Sequence, residues 1–280
     1  MSGTLYIVGT PIGNLGDISP RALETLESVD FIAAEDTRVT LKLLNHFEIK
    51  KPLISYFEHN RREKGEVIAD RIASGESCAI VTDAGMPAIS DPGEDLVALC
   101  HEREIPVRAV PGPTAFATAV ALSGLPTGRF TFEGFLSMNK NARKEHLSEL
   151  RDERRTMIFY EAPHKLPKTL KDLYEALGDR RIAIIREITK IYEEVIRINL
   201  AEAAEKYSEE GLRGEIVLVV EGKTVTEEAE ITLDDAVSLA RVYVNEGLAA
   251  SMAAKKAAKE TGFKKGDIYK YLTEDETTEE

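Results

Sequence analysis

Over the first 124 residues, apolar runs of four to six positions alternate with longer stretches in which apolar residues return every third or fourth place. The short runs are TLYIV (4–8), DFIAAE (30–35), PLISYF (52–57), CAIVTD (78–83) and PVRAV (106–110). Their continuous apolar character predicts strands buried on both faces, as in a parallel sheet. Between the first two, ISPRALETLESV places Ala22, Leu23, Leu26 and Val29 at helical spacing, with Ser19 as N-cap and Pro20 in the first turn. TRVTLKLLNHF, KGEVIADRIASG, DLVALCHERE and PTAFATAVALSG read as helices in the same way. Alternation of this kind predicts βα units around a mainly parallel sheet.

After LSGLPTGR the rhythm changes to FTFEGFL, a charged helix near ARKEHLSELRDERR, TMIFYEAP, a helix at LPKTLKDLYEAL, RIAIIREI and GEIVLVVEG. The expected division is an N-terminal α/β domain over 1–124, a hinge at 125–128 and a second α/β domain over 125–222. Residues 223–280 then form a linker and a small helical extension. The segment KTVTEEAEIT is polar and acidic, which suits an exposed linker. The pieces LDDAVSLARVYVNEG, SMAAKKAAKETG and KKGDIYKYLTE predict three short helices resembling a helix-turn-helix unit, before a frayed acidic tail, EDETTEE.

A net charge of −13 disfavours indiscriminate attraction to phosphate backbones, so a nucleic-acid partner must meet a local basic patch. Candidates are NRREK (60–64), NKNARKEH (139–146), RDERR (151–155) and KKAAKETGFKK (255–265), each of which is also a normal solvated helix face. NKNARK, placed after FTFEGFL, is expected to meet phosphates through Arg143 and Lys144. Two cysteines, Cys78 and Cys100, make no disulfide framework and are expected as small core residues. The start MSGTLYIVGTPIGN has no leader pattern, and no segment reaches the ~18 apolar residues of a membrane span, so a cytoplasmic protein is expected.

Chemistry concentrates in three Gly/Pro-rich turns that follow predicted strands: GTPIGNLGD (9–17), the turn from Asp83 to Gly93, and VPGPTA (110–115). None is a Gly-Lys-Ser/Thr phosphate loop and none has GxGxxG spacing. In an open α/β sheet such turns share the carboxyl-end rim, where ligands bind. Thr114 and Ala115 open a helix whose free N–H groups suit a carboxylate, while Asp83 suits a cationic centre. Together they suit a zwitterionic ligand. Further candidates follow the second and third strands: Glu35, Asp36 and Arg38, then Glu58, His59 and Asn60. His59 has the ordinary pKa of a general base but also reads as an exposed surface residue, and Asp36 with Arg38 also reads as an ion pair at a helix start.

The ordered set GTPIGNLGDIS, AAEDTR, VTDAGMPAISDPG, VPGPTA and FYEAPHK resembles the tetrapyrrole methylase superfamily, over about residues 3–222. The resemblance is nearest to its branch acting on ribosomal RNA. It implies two α/β domains with a ligand cleft between them, S-adenosyl-L-methionine as cofactor, and 2′-O-methylation of a cytidine in the decoding region of 16S rRNA. It also implies the small ribosomal subunit as partner and a homodimer. Carried over by position, it implies cofactor contacts at Pro11, Asp83, Ala84, Gly85, Met86, Gly112, Thr114, Ala115 and Tyr160. On this reading Asp36, Arg38 and Asn60 orient RNA, with His59 as candidate base. A methylase of small tetrapyrroles and a non-enzymatic nucleic-acid binder are the alternatives. No zinc spacing or nucleophile elbow occurs, so no metal is expected.

Overall fold

The computed structural model describes residues 2–209, 211–224 and 232–274, and it forms two compact units, Met1–Lys223 and Thr224–Glu280. In the first unit the strands β1 (Leu5–Val8), β2 (Phe31–Ala34), β3 (Leu53–Ser55), β4 (Cys78–Val81) and β5 (Val107–Val110) form a parallel sheet. Their order is β3-β2-β4-β1-β5. The helices α1 (Pro20–Ser28), α2 (Thr37–His46), α3 (Arg61–Ala73) and α4 (Glu94–Glu102) connect them. Alternate strand residues feed two cores. Leu5, Phe31, Ala33, Cys78 and Ile80 pack on one side, Val8, Ile32, Ala34, Ala79 and Val81 on the other. This double burial is why the strands read as unbroken apolar runs. Both cysteines lie in the first of these cores as free thiols whose burial pushes their pKa up. Ser19 caps α1 by accepting the Ala22 N–H at 3.1 Å.

The second sheet contains β6 (Phe130–Phe135), β7 (Thr156–Glu161), β8 (Arg181–Arg186), β9 (Glu194–Asn199) and β10 (Ile216–Val220), ordered β6-β7-β10-β8-β9. Only β6 and β7 run parallel, so the parallel sheet expected from the alternation describes the first half of the chain alone. The helices α6 (Lys140–Glu149), α7 (Leu166–Leu177) and α8 (Leu200–Lys206) accompany this sheet. β9 and α8 had no counterpart in the sequence reading. β9 is an edge strand with Glu194, Arg197 and Asn199 among its six residues, so its apolar signal is weak.

The helix α5 (Ala115–Ser123) follows the first sheet in sequence but packs on the second. Its Ala119 and Val120 share a core with Ile12, Leu125, Ile158, Ala183, Val217 and Val219. A helix without charged residues needs apolar neighbours around much of its circumference, and only the second sheet supplies them. The segment expected as a hinge is therefore fastened: Leu125 is buried, and the Pro126 carbonyl accepts the Thr156 hydroxyl at 2.6 Å.

The second unit is a three-helix cluster of α9 (Leu233–Asn245), α10 (Ala250–Thr261) and α11 (Lys265–Glu274). Ala240, Ala253, Ala254 and Ala257 let the helices approach, with Ile268 and Leu272 completing the core. Thr232 and Asp235 form a capping box at the start of α9. Most of the expected acidic linker and tail, 225–231 and 275–280, lies outside the described residues.

Candidate active site

β4, β1 and β5 are neighbours in the first sheet, so the loops that follow them leave the same rim side by side. Two backbone crossings lock them together. Thr10 and Gly85 exchange N–H···O bonds of 2.9 and 3.1 Å, and the Thr10 hydroxyl donates to the Thr82 carbonyl at 3.2 Å. Gly9 and Gly112 lie so close that a Cβ on Gly112 would stand 2.8 Å from the Gly9 carbonyl carbon and oxygen. In the middle loop Gly85 (φ 87°), Ala88 (φ 68°) and Ser90 (φ 65°) are left-handed. Two non-glycine residues in that region cost on the order of 1 kcal/mol each or more, which the surrounding hydrogen bonds must offset. The concentration of Gly and Pro thus specifies one loop shape.

These loops close over a cavity of about 500 Å³, within the range of small-molecule sites. The first loop contributes Ile12, the second Thr82 to Met86 with Ile89, Ser90 and Asp91, and the third Thr114 and Ala115. The second sheet closes the other side with Phe135, Tyr160, Glu161 and Val217, and the turns beside β8 and β10 add Ile188 and Glu215. The lining holds five carboxylates, Glu35, Asp83, Asp91, Glu161 and Glu215, and no lysine, arginine or histidine. Glu161 is taken up by Ala162 and Thr169 and Glu215 pairs with Lys190 at 3.1 Å, so the cavity favours positive charge on a ligand at the wall of Glu35, Asp83 and Asp91.

Glu35, Asp83 and Asp91 form one wall. Glu35 Oε2 accepts the Thr82 hydroxyl at 2.6 Å, and Asp83 Oδ1 accepts the Asp36 N–H at 3.1 Å. Burial, reinforced by Glu35, raises the pKa of Asp83 and pushes Asp91 up to about 6. The Thr82 hydroxyl faces Asp91 as well as Glu35, but its single proton serves one of them at a time. On the opposite side Tyr160, its pKa raised by burial, accepts the Phe116 N–H at 3.3 Å. Buried Glu161 accepts the Ala162 N–H at 2.8 Å and the Thr169 hydroxyl.

Of the expected cofactor residues, Asp83, Ala84, Gly85, Met86, Thr114, Ala115 and Tyr160 line the cavity. Gly112 shapes it through the crossing with Gly9, and Pro11 stands between Thr10 and Ile12 in the first loop without lining it. Asp36, Arg38, His59 and Asn60 do not line it. The Asp36 carboxylate caps α2 by accepting the Arg38 N–H at 2.8 Å and pairs with the exposed Arg38 guanidinium at 2.5 Å, which holds its pKa at about 2. His59 and Asn60 follow β3, the edge strand, three places from β1 and roughly 14 Å away at about 4.8 Å per strand. There Asn60 accepts the Phe57 N–H at 2.9 Å and donates to the Ser55 carbonyl at 3.0 Å, while exposed His59 meets Phe57 edge-on. Both groups were expected to face one cleft; Glu35 does line it, the Asp36 carboxylate is taken up by the start of α2 and by Arg38, and the edge position of β3 keeps His59 and Asn60 off it. Asp91, Phe135, Glu161, Ile188 and Glu215 were not anticipated. Asp91 had a sequence signal in the constrained SDPG turn and Glu161 in the FYEAPHK motif beside Tyr160; the other three had none.

The phosphate contact expected at Arg143 is also overturned. Arg143 lies in α6, is buried, and donates to Asp172 at 2.6 Å and to Thr169 at 2.8 Å, which in turn holds Glu161. Arg143→Ala would leave Asp172 without its partner and should lower unfolding stability by about 3 kcal/mol in urea titrations. It should leave the salt dependence of RNA binding unaltered.

Two α/β layers joined through a shared helix, with rim loops clasping an acidic cavity, define a two-domain α/β fold with a small-molecule site at its rim. The sequence pattern of the Tetrapyrrole (Corrin/Porphyrin) Methylases matches residues 4–204, and the chain belongs to that family. Among its relatives, the ribosomal RNA small subunit methyltransferase I of Synechocystis sp. is 45% identical over 273 residues, 97% of this chain and 98% of that protein. The protein of the same name from Bacillus subtilis is 44% identical over 271 residues, 95% of this chain and 93% of that protein. The one from Thermotoga maritima is 49% identical over 221 residues, 79% of this chain and 99% of its own length. The fold is shared with uroporphyrin-III C-methyltransferase from Thermus thermophilus complexed with S-adenyl homocysteine. That likeness has TM-score 0.53 and 18% identity and covers 78% of this chain and 97% of that one. Diphthine synthase gives 0.60 at 16% identity, covering 79% and 91%.

Proposed function

We propose that the chain uses S-adenosyl-L-methionine to methylate the ribose 2′-hydroxyl of a cytidine in the decoding region of 16S rRNA. It acts on the small ribosomal subunit, as a homodimer, in the cytoplasm. The observation that carries this reading is the cavity with five carboxylates and no cationic side chain, in a member of a methylase family whose near-full-length relatives are named for small-subunit rRNA.

The residues fit this cofactor. Its sulfonium and ammonium suit the wall of Glu35 and Asp83, its carboxylate suits the N–H groups at the start of α5 other than that of Phe116, which Tyr160 takes, and its adenosine suits Ile12, Met86, Ile188 and Val217. When bound, it supplies an electrophilic methyl group on a positively charged sulfur, which retains the electron pair of the broken carbon–sulfur bond. Asp91 takes the proton of the ribose hydroxyl: with a pKa of about 6 it is ionised at neutral pH yet still basic enough to accept one. Thr82 lies between Asp91 and Glu35, and its single hydroxyl proton orients whichever of the two it serves. The three locked loops hold these groups in fixed register, which is where most of the rate gain from positioning arises. Exposed lysines of the second unit, Lys255 and Lys259 in α10, and exposed Lys144 in α6 offer phosphate contacts.

The test supplies labelled cofactor with small subunits from cells lacking the protein, then maps 2′-O-methyl groups by mass spectrometry. One modified cytidine in the decoding region is expected. Label entering uroporphyrinogen instead would reject the assignment.

A further inference from the structure

Resting on this RNA-methylating reading, we infer that Phe135 is the platform on which the base of the target nucleotide stacks while its ribose enters the cavity. Phe130, Thr131 and Phe132 pair in regular register with Thr156, Met157 and Ile158, but the next pairs are Gly134 with Phe159 and Phe135 with Tyr160. Glu133 is the extra residue of a β-bulge. Side chains alternate along a strand, so regular pairing would have turned residue 135 to the opposite face from Phe132. The bulge restores it to the face shared by Phe132, Ile158 and Tyr160. Gly134 accommodates the turn at φ 63°, and displaced Glu133 is held by His146 at 2.8 Å. A strand that breaks its register beside a ligand cavity re-aims a side chain, and here that side chain is an aromatic ring.

The ring is also supported and open. Phe116, Phe132 and Tyr160 form a ladder with centroid spacings of 4.8 and 5.0 Å, and Phe135 meets Tyr160 at 5.5 Å. The inner rings are largely covered, whereas Phe135 is 58% exposed at the cavity mouth. A Cβ at Gly134 would lie 3.8 Å from Ser90 Oγ, so the bulge abuts the loop that carries Asp91. An open ring beside a proton acceptor is what a nucleotide needs when its sugar hydroxyl reacts and its base must leave the stack. Base stacking on aromatic rings tolerates any base, so Phe135 supplies affinity and orientation, and the choice of cytosine arises elsewhere.

The experiment compares Phe135→Leu with Phe135→Trp in the full-length chain. Single-turnover methylation of unmodified small subunits and calorimetric titration of S-adenosylmethionine are the readouts. Phe135→Leu should lower the apparent second-order rate constant about ten- to hundredfold, with cofactor Kd changed less than about twofold; Phe135→Trp should restore the rate to within about threefold of wild type. Gly134→Val, strained at a positive φ, should reproduce the rate loss with the ring intact. A Phe135→Leu enzyme with wild-type rate overturns the inference. So does a matching loss of cofactor affinity, which would place adenine on the ring, or a changed oligomeric state, which would make Phe135 an intersubunit contact. If the wild-type chain itself methylates no rRNA, the functional assignment fails before the platform is tested.

Discussion

Asp91→Asn should cut single-turnover methyl transfer by about 100-fold or more, while making the protein more stable at pH 8. The two effects have one cause. Asp91 is pushed up to about 6 first by burial and then by Glu35, so its folded-state pKa lies above the value near 3.9 expected in the unfolded chain. Between those values the folded state binds more protons than the unfolded one. Stability therefore falls as pH rises from about 4 to about 6, and above that window the penalty is fully present. Two units correspond to roughly 3 kcal/mol before solvent screening and on the order of 1–2 kcal/mol after it. Asparagine keeps the shape and removes the charge, so urea titrations should show the variant ahead by about that amount at pH 8 and level with wild type below pH 4. The wild-type rate should also fall as pH drops through about 6, as the base becomes protonated. A variant that keeps its rate would remove Asp91 from proton transfer. One that loses both rate and stability at pH 8 would make it a structural partner of Thr82.

The first sheet was legible because its inner strands β2 and β4 are buried on both faces, and this leaves unbroken apolar runs such as FIAA and CAIV. Local caps were legible because Ser19 and Pro20 act within one turn of themselves. Strand order was not, and it decided the fate of two candidates. Nothing local says that β3 lies at an edge, so His59 and Asn60 read as rim residues equal to Asp83. Arg143 misled in a similar way. A basic run reads as a solvated face until Asp172, 29 residues further along, turns one member inward. Phe135 shows the converse. Its direction depends on a one-residue bulge, and period-two counting, which holds for Phe130 and Phe132, assigns it to the wrong face.

The convergence of the rim loops, which the sequence implied only through their composition, is tested by the crossing of Gly9 and Gly112. A methyl group on Gly112 would meet the Gly9 carbonyl carbon and oxygen at 2.8 Å and its Cα at 2.9 Å, all backbone atoms that cannot swing aside. The strands behind them are paired from Leu5 with Val107 to Val8 with Val110, and Gly9 N–H donates to the Val110 carbonyl at 3.0 Å. Relief must therefore come from the loops in front, by moving 9–17 away from 110–115. That motion carries Ile12 from Thr114 and Ala115 and loosens the Thr10 to Gly85 pairing, so all three walls of the cavity shift together. Gly112→Ala should lower stability by about 1–3 kcal/mol and weaken S-adenosylmethionine binding by roughly ten- to hundredfold. Gly128→Ala, with no atom within 4 Å of the new carbon, should alter neither. Calorimetric titration and thermal unfolding of both variants separate the outcomes. If Gly112→Ala binds cofactor as tightly as wild type, the crossing does not position the site, and the three loops bind independently of it.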